Sequence, residues 1–356
     1  MNRGSTPHYR VVQWATGNIG TRALREVIRH PSLDLVGLLV YDPEKNGVDA
    51  GTLCGEPPIG VKATTNRQSI HALRADCVLY MPRAPDLDDV VAFLEAGTNV
   101  VTTCGAFFDR GRGLGDEKRA RVLDACARGG TSVFDTGSSP GFITEILPFA
   151  LLSLQRRVES VEIDEFANMS QRNSPHMIFE LMGFGRPPDS FNAKGREAHL
   201  LRSFRPSLGA LAAAAGRPVD SWSSTGEYAL ARRTTHIAAG ELKQGTIAAM
   251  RTVIVGRSQG AAVVSMTPTW YCTTEIEPAW DLGRTGWRVR VRGDAPLDVE
   301  LPIALPVEEL GAHTPSLTAN PPVNAVPYVC AAAPGILSTR DLPPIVPAGP
   351  RGKNDS

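Results

Sequence analysis

The sequence predicts an α/β protein with an N-terminal doubly wound parallel sheet and a C-terminal α+β domain on an open mixed or antiparallel sheet. Three observations predict it. Short apolar runs alternate with amphipathic helices up to Phe134. A glycine loop joins the first run to the first helix. From Ser223 onward the pattern turns to β.

Tyr9–Trp14 (YRVVQW) is β-prone. In the helix that follows, Ile19, Ala23, Leu24, Val27 and Ile28 recur at helical spacing, and Pro31 ends it. Residues 33–41 (LDLVGLLVY) are apolar almost throughout, as in a strand buried on both faces. Asp76–Met81 is the next strand, and Asp86–Ala96 is a helix with an acidic first turn and Gly97 as its stop. Asn99–Thr103 is a strand, Asp116–Arg128 a crossover helix, and Thr131–Phe134 a further strand.

Between the first strand and helix stands Ala15-Thr16-Gly17-Asn18-Ile19-Gly20. This is a dinucleotide fingerprint with Ala at its first glycine. Gly17 lets backbone approach a pyrophosphate, Gly20 lets helix and strand pack, and the amides near Asn18 and Ile19 face the anion. Asp42 follows the second strand at the spacing of a ribose-binding carboxylate. The expected cofactor is therefore NAD or NADP. Asp42 tilts the choice to NAD, while Lys45 stands where it can meet a 2′-phosphate, and Asp42 can also simply cap the turn before Pro43. In a doubly wound sheet the nicotinamide lies past the carboxyl ends of the strands, beside Met81-Pro82, Thr103-Cys104 and Ser139-Pro140-Gly141.

Past the Gly137–Gly141 loop, Phe142, Ile146 and Phe149 make an apolar helical face, and Val158–Phe166 alternates like a half-buried strand. Asn168–Asn173 is polar. Ser174-Pro175 reads as the cap and first residue of a short helix that Gly183 stops, and Glu197–Ala215 as a longer helix. Thr246–Val255 and Ala261–Tyr271 flank a turn at Ser258-Gln259-Gly260. A last hairpin pairs Trp287–Arg292 with Leu297–Leu301, its arginines and carboxylates on one face. Asn320–Ala333 is helical, kinked by Pro327, and the Pro/Gly-rich tail from Pro343 is expected to be disordered. Domain boundaries are expected at 1–148 and 149–319.

Of the 356 residues, 42% are hydrophobic, and 37 basic residues balance 37 acidic ones, which gives no reason to expect nucleic acid or an anionic membrane as partner. No stretch approaches the span of a bilayer, and the polar first ten residues lack the apolar core of a signal peptide. The six cysteines show no metal-ligand spacing and read as reduced thiols of a cytoplasmic protein; no metal is expected.

WATGNIG, YDPEKNGVDAGTLCG, GSSPGF, the TWYC…EPAW…GWRVRVRGD run and VNAVPYVCAAAPGI together resemble the dihydrodipicolinate reductase-like oxidoreductases. Within them the branch is that of 2,4-diaminopentanoate dehydrogenase and the native amine dehydrogenases. The resemblance covers nearly the whole chain. It implies a homodimer, a C-terminal segment (320–342) that rejoins the nucleotide domain, and hydride transfer to or from a small C=N or C=O substrate. The catalytic His-rich motif with its Lys and the DAPSGT-type loop of true dihydrodipicolinate reductases are absent, so a role in lysine biosynthesis is not expected. In the amine dehydrogenase branch a glutamate follows a late strand of the first domain. Here that stretch is Thr102-Thr103-Cys104-Gly105-Ala106-Phe107, and Ser139 stands where the branch has Asn.

Proton handling must then come from elsewhere. His176 and Tyr80 are the candidates, His176 because it follows the polar stretch that lines the substrate side in the family. Asn168, Ser170, His176 and Trp270 are expected to line the substrate, and Glu165 to be a strand-end surface acid. Two other readings stay open: a catalytically silent NAD(P)-binding sensor or scaffold, and a reductase of ketones or enones with a relocated proton donor.

Overall fold

Strands buried on both faces can be apolar along most of their length, and the short runs of this chain that alternate with helices are of that kind. The computed structural model describes residues 7–349. In chain order the first part comprises β1 (Tyr9–Trp14), α1 (Asn18–Arg29), β2 (Leu33–Leu39), α2 (Ala50–Cys54), β3 (Ala63–Thr64), α3 (Arg67–His71), β4 (Cys77–Tyr80), α4 (Leu87–Glu95), β5 (Asn99–Thr102), α5 (Asp116–Gly129) and β6 (Ser132–Asp135). Every residue of β4 and β6 is buried. After β6 come α6 (Leu147–Leu152), β7 (Val158–Asn168), α7 (Ala193–Ala214), β8 (Ser221–Ala231), β9 (Thr235–Ile237), β10 (Gly240–Leu242), β11 (Ile247–Ser258), β12 (Ala261–Tyr271), β13 (Ile276–Glu277), β14 (Gly286–Gly293), β15 (Leu297–Pro302) and α8 (Val307–His313). The chain ends on α9 (Ser316–Cys330) and β16 (Gly335–Leu337).

The chain divides into two compact units, one up to Phe142 together with the chain from Pro315 onward, the other Ile143–Thr314. In the first, seven parallel strands run in the order β16-β6-β5-β4-β1-β2-β3. One face is packed by Trp14, Val78, Tyr80, Val100 and Val133 with α4 and α5. The other is packed by Val11, Leu79, Val101 and Phe134 with α1 and α9. In the second unit a seven-stranded mixed sheet runs β13-β8-β11-β12-β7-β14-β15, and only β12 and β7 pair parallel. Helix α7 packs on one of its faces.

The outer face of that sheet carries charge. Register puts Arg288 and Arg290 of β14 opposite Asp164 and Glu162 of β7, and opposite Glu300 and Asp298 of β15. Arg290 meets Glu162 at 3.0 Å and Asp164 at 2.8 Å, Arg292 meets Glu162 at 2.7 Å, and Arg288 meets Asp298 at 2.6 Å. These are the cross-strand pairs that the alternation of the last hairpin predicts.

Several element expectations change, among them the helix expected at Asn320–Ala333, which spans Ser316–Cys330. The long helix begins at Ala193, four residues before Glu197, because Asn192 caps it through the amide of Gly195. Pro175 is the cap of the turn His176–Leu181 and not its first residue. Disorder from Pro343 is not what the structure shows for residues 343–349. There Ile345 packs on the first unit's core, and the amide of Val346 donates to the Tyr328 hydroxyl. The rest of the expected tail lies outside the described residues.

Ala15 bears strain. It takes φ +77° at the first glycine position of the fingerprint, where an L side chain costs about 1–2 kcal/mol. Ala15→Gly removes that cost and adds chain entropy to the unfolded state. We expect a net gain of about 0.5–1 kcal/mol in urea unfolding; a loss of stability would show that the loop is relaxed with Ala.

Candidate active site

The glycine loop is held from below. Gln13 is fully buried in β1 among Val11, Val12 and Trp14, and its Nε2 donates to the Ala15 carbonyl at 3.0 Å. Helix α1 then starts at Asn18 with Gly17 as its cap residue, no side chain capping it and no acidic residue in its first turn. Its first amides are therefore left for an anion. A Cβ placed on Gly17 has nothing within 4 Å, while one on Gly20 stands 2.2 Å from the Ala15 carbonyl oxygen. The two glycines differ in kind: Gly20 is required by packing, and Gly17 leaves room.

The predicted cofactor residues gather along one edge of the first sheet, at the carboxyl ends of its strands. Ala15–Gly20 follow β1, Met81-Pro82 follow β4, Thr103-Cys104 follow β5, and Ser139–Gly141 follow β6. The amide of Ala15 bonds Leu39 of β2, that of Met81 bonds Trp14 of β1, and that of Thr136 bonds Thr102 of β5, so sheet pairing continues to this edge. Asp42 is exposed after β2, and its Oδ1 accepts the amide of Glu44 at 3.0 Å, capping the turn. Lys45 brings its Nζ to 3.3 Å from both Thr16 Oγ1 and the Thr16 carbonyl. Sequence reasoning assigned Lys45 no place on the loop; here it reaches across it.

Tyr80 is enclosed rather than presented to an open site. It is fully buried in β4. Its oxygen accepts the Asp86 amide at 3.0 Å and its hydroxyl faces Asp89 Oδ2 at 3.5 Å. Burial raises its pKa well above that of a free phenol. Cys104 is no reactive thiol either. Its Sγ donates to the Pro82 carbonyl at 3.3 Å, and burial pushes the thiol up to about 12.

In the second unit, Asn168 ends β7 and accepts the Ser170 amide on its Oδ1 at 2.9 Å, while the neighbouring Ala167 pairs across the sheet with Trp270. Asn168, Ser170 and Trp270 thus stand close together. His176 lies exposed at the start of its turn.

Glu165 is no surface acid. It shares the inner face of β7 with Val161 and Ile163, is 9% exposed, and both carboxylate oxygens are occupied by indole N–H donors: Trp270 at 2.7 Å and Trp287 at 2.9 Å. Trp287 is its direct cross-strand neighbour. Over Trp270, at 4.8 Å from the ring centre, lies the guanidinium of Arg196, which burial pulls down to about 10. The β-period of the sequence already put Glu165 on the apolar face; no sequence signal placed the indoles beside it.

Among the described residues no group of three His, Cys, Asp or Glu side chains is placed to hold a metal ion, all six cysteines are free, and no helix is long and apolar enough to cross a membrane.

Comparison with known proteins agrees with this architecture. An amine dehydrogenase of Streptomyces virginiae is 28% identical over 363 aligned residues, covering 97% of this chain and 99% of that protein. The solved amine dehydrogenase of Mycobacterium smegmatis shares the fold with a TM-score of 0.77 at 19% identity, over 95% of this chain and 97% of that one. GenD2 of gentamicin A biosynthesis, solved in complex with NAD, gives a TM-score of 0.52 at 16% identity, over 92% of this chain and 89% of that one. Residues 142–352, more than half of the chain, match the model of the 2,4-diaminopentanoate dehydrogenase C-terminal domain, and the chain belongs to that family.

Proposed function

We propose that this protein is an NAD(P)-dependent oxidoreductase that transfers hydride to or from a small C=N or C=O substrate. The observation that carries the reading is the uncapped start of α1 behind Gly17, with open space where a side chain would stand, on the carboxyl edge of a parallel sheet. The amides after Gly17 would hold the pyrophosphate, Asp42 the adenosine ribose, and the loops after β4, β5 and β6 the nicotinamide end. When bound, the nicotinamide would supply or accept the hydride, and the protein would orient it.

NAD is the favoured form, because Asp42 presents a carboxylate where a 2′-phosphate would sit. Lys45 works against that exclusion from the adjoining turn, so NADP binds as the weaker partner. Calorimetric titration with NADH and NADPH tests both statements: one site per chain is expected, with NADH the tighter. A turnover screen against aldehydes, ketones with ammonia, and enones separates an amine or carbonyl enzyme from a silent binding protein. The second reading has its own support in the burial of Tyr80 and in the absence of a carboxylate at residues 104–106.

The protein acts as a homodimer in this reading, joined through the outer face of the second sheet. Its ladder of Arg288, Arg290, Glu162 and Asp164 is half-buried already within one chain. Light scattering at micromolar concentration should give twice the mass of one chain, and a monomer mass would refute the interface.

A further inference from the structure

One buried carboxyl on the cofactor edge has no part in the chemistry described so far. Asp135 ends β6, 2% exposed, beside the loop that follows β5. Its Oδ2 accepts the amide of Phe107 at 3.0 Å, and the amides of Gly105 and Ala106 turn to the same carboxylate. Gly105 has φ +80°, which brings successive N–H groups to one side and makes a backbone nest for an anion. Asp135 Oδ1 has no hydrogen-bond partner. A fully buried carboxylate is a costly way to end a strand, and this one is spent on a loop at the sheet's carboxyl edge.

We propose that Asp135 is a positioning residue for the nicotinamide end of the cofactor: its carboxylate gathers the amides of residues 105–107 and fixes the shape of the Cys104–Phe107 loop. The inference rests on the cofactor reading above. Because Asp135 lies beneath the loop, it acts through the loop's backbone and not by touching the ring.

Burial pushes the Asp135 carboxyl up to about 7, with the three amides pulling the other way. Among the described residues, the Cys104 thiol of the loop feels its charge and is kept protonated by its own burial; Tyr80 stands behind Cys104 on β4. The support of the ionised form comes from backbone amides and not from a cation. Protonation turns the acceptor of the Phe107 N–H, toward which the Gly105 and Ala106 amides also turn, into a group that brings its own donor, and the loop is released. Binding of the nicotinamide end should therefore tighten as pH rises through about 7.

The test titrates NADH and ADP-ribose, which lacks nicotinamide, into the wild type and Asp135→Asn by calorimetry at several pH values around neutrality. For Asp135→Asn we expect NADH affinity to fall about tenfold above neutral pH, since charge-assisted hydrogen bonds are lost, with ADP-ribose unchanged. The wild-type Kd for NADH should drop with rising pH, and that of the variant should stay flat. Gly105→Ala, which strains the same turn, should repeat the loss of NADH alone and serves if Asp135→Asn does not fold. Equal loss of both ligands would reduce Asp135 to a structural role and overturn the proposal, as would unchanged NADH binding. A wild type that binds neither ligand would overturn the cofactor reading itself, and this inference with it.

Discussion

Gly17→Val should abolish NADH binding and leave the protein folded. The two halves of that expectation rest on one geometric fact: nothing lies within 4 Å of the Cβ position of Gly17. The backbone there is at φ −71° and ψ −172°, a conformation that Val adopts freely. The folded chain therefore accepts the side chain. The space it fills is the approach to the first amides of α1, where a pyrophosphate has to come within hydrogen-bond distance of backbone. Steric overlap together with lost charge-assisted bonds amounts to about 3 kcal/mol or more, over roughly a hundredfold in Kd. Gly20→Ala is the control with the opposite outcome. Its Cβ would stand 2.2 Å from a backbone oxygen that Gln13 holds in place. It should cost about 1–3 kcal/mol of stability, and cofactor affinity should fall only as far as the loop is displaced. Urea unfolding and calorimetry on both variants check the pair. Wild-type affinity in Gly17→Val would mean that the pyrophosphate does not approach this loop.

The same contrast shows which parts of this molecule are legible in its sequence. A parallel strand buried on both faces leaves a continuous apolar run, so β1, β2, β4, β5 and β6 are visible, and the glycine loop between strand and helix announces the cofactor edge. The edge strands β3 and β16 have two and three residues; no periodicity survives at that length, and neither is predicted. In the second domain alternation identifies β7 and the β14–β15 hairpin and even their charged face. It says nothing of the order β13-β8-β11-β12-β7-β14-β15, because strand order depends on which distant segments meet. Side-chain roles are the least legible. Tyr80 has the chemistry of a proton donor and is sealed in the core by its place in an all-buried strand. Glu165 looks like a surface acid until two tryptophans from distant strands close over it. Asp135 is a single carboxylate after Ser-Val-Phe; only the fold shows that it holds the Phe107 amide of another loop.

Reductive amination of simple ketones by the wild type should be close to background, and Ala106→Glu should raise it. Ammonia must add to the carbonyl, the carbinolamine must lose water, and the iminium must then accept hydride. A carboxylate beside the nicotinamide helps each proton transfer and stabilises the cationic iminium. The loop after β5 has Cys104, Gly105 and Ala106, and the Cys104 thiol is protonated and bound to the Pro82 carbonyl. Asp135 lies under this loop, nearly out of reach of solvent, with its Oδ2 on the Phe107 amide. General acid–base help is worth about 10² to 10⁴ in rate, so its absence leaves little turnover. The structure selects where to restore it. Gly105 sits at φ +80°, where a glutamate would strain the turn and disturb the Asp135 nest; Ala106, at an ordinary φ and partly buried, can take the longer side chain. Steady-state assays with cyclohexanone, ammonium and NADH should show slow oxidation in the wild type and a gain of about tenfold or more in Ala106→Glu, a fraction of the full general-acid effect. Robust wild-type amination would put the proton-handling group elsewhere, and His176, exposed at the start of its turn, would be the first residue to replace.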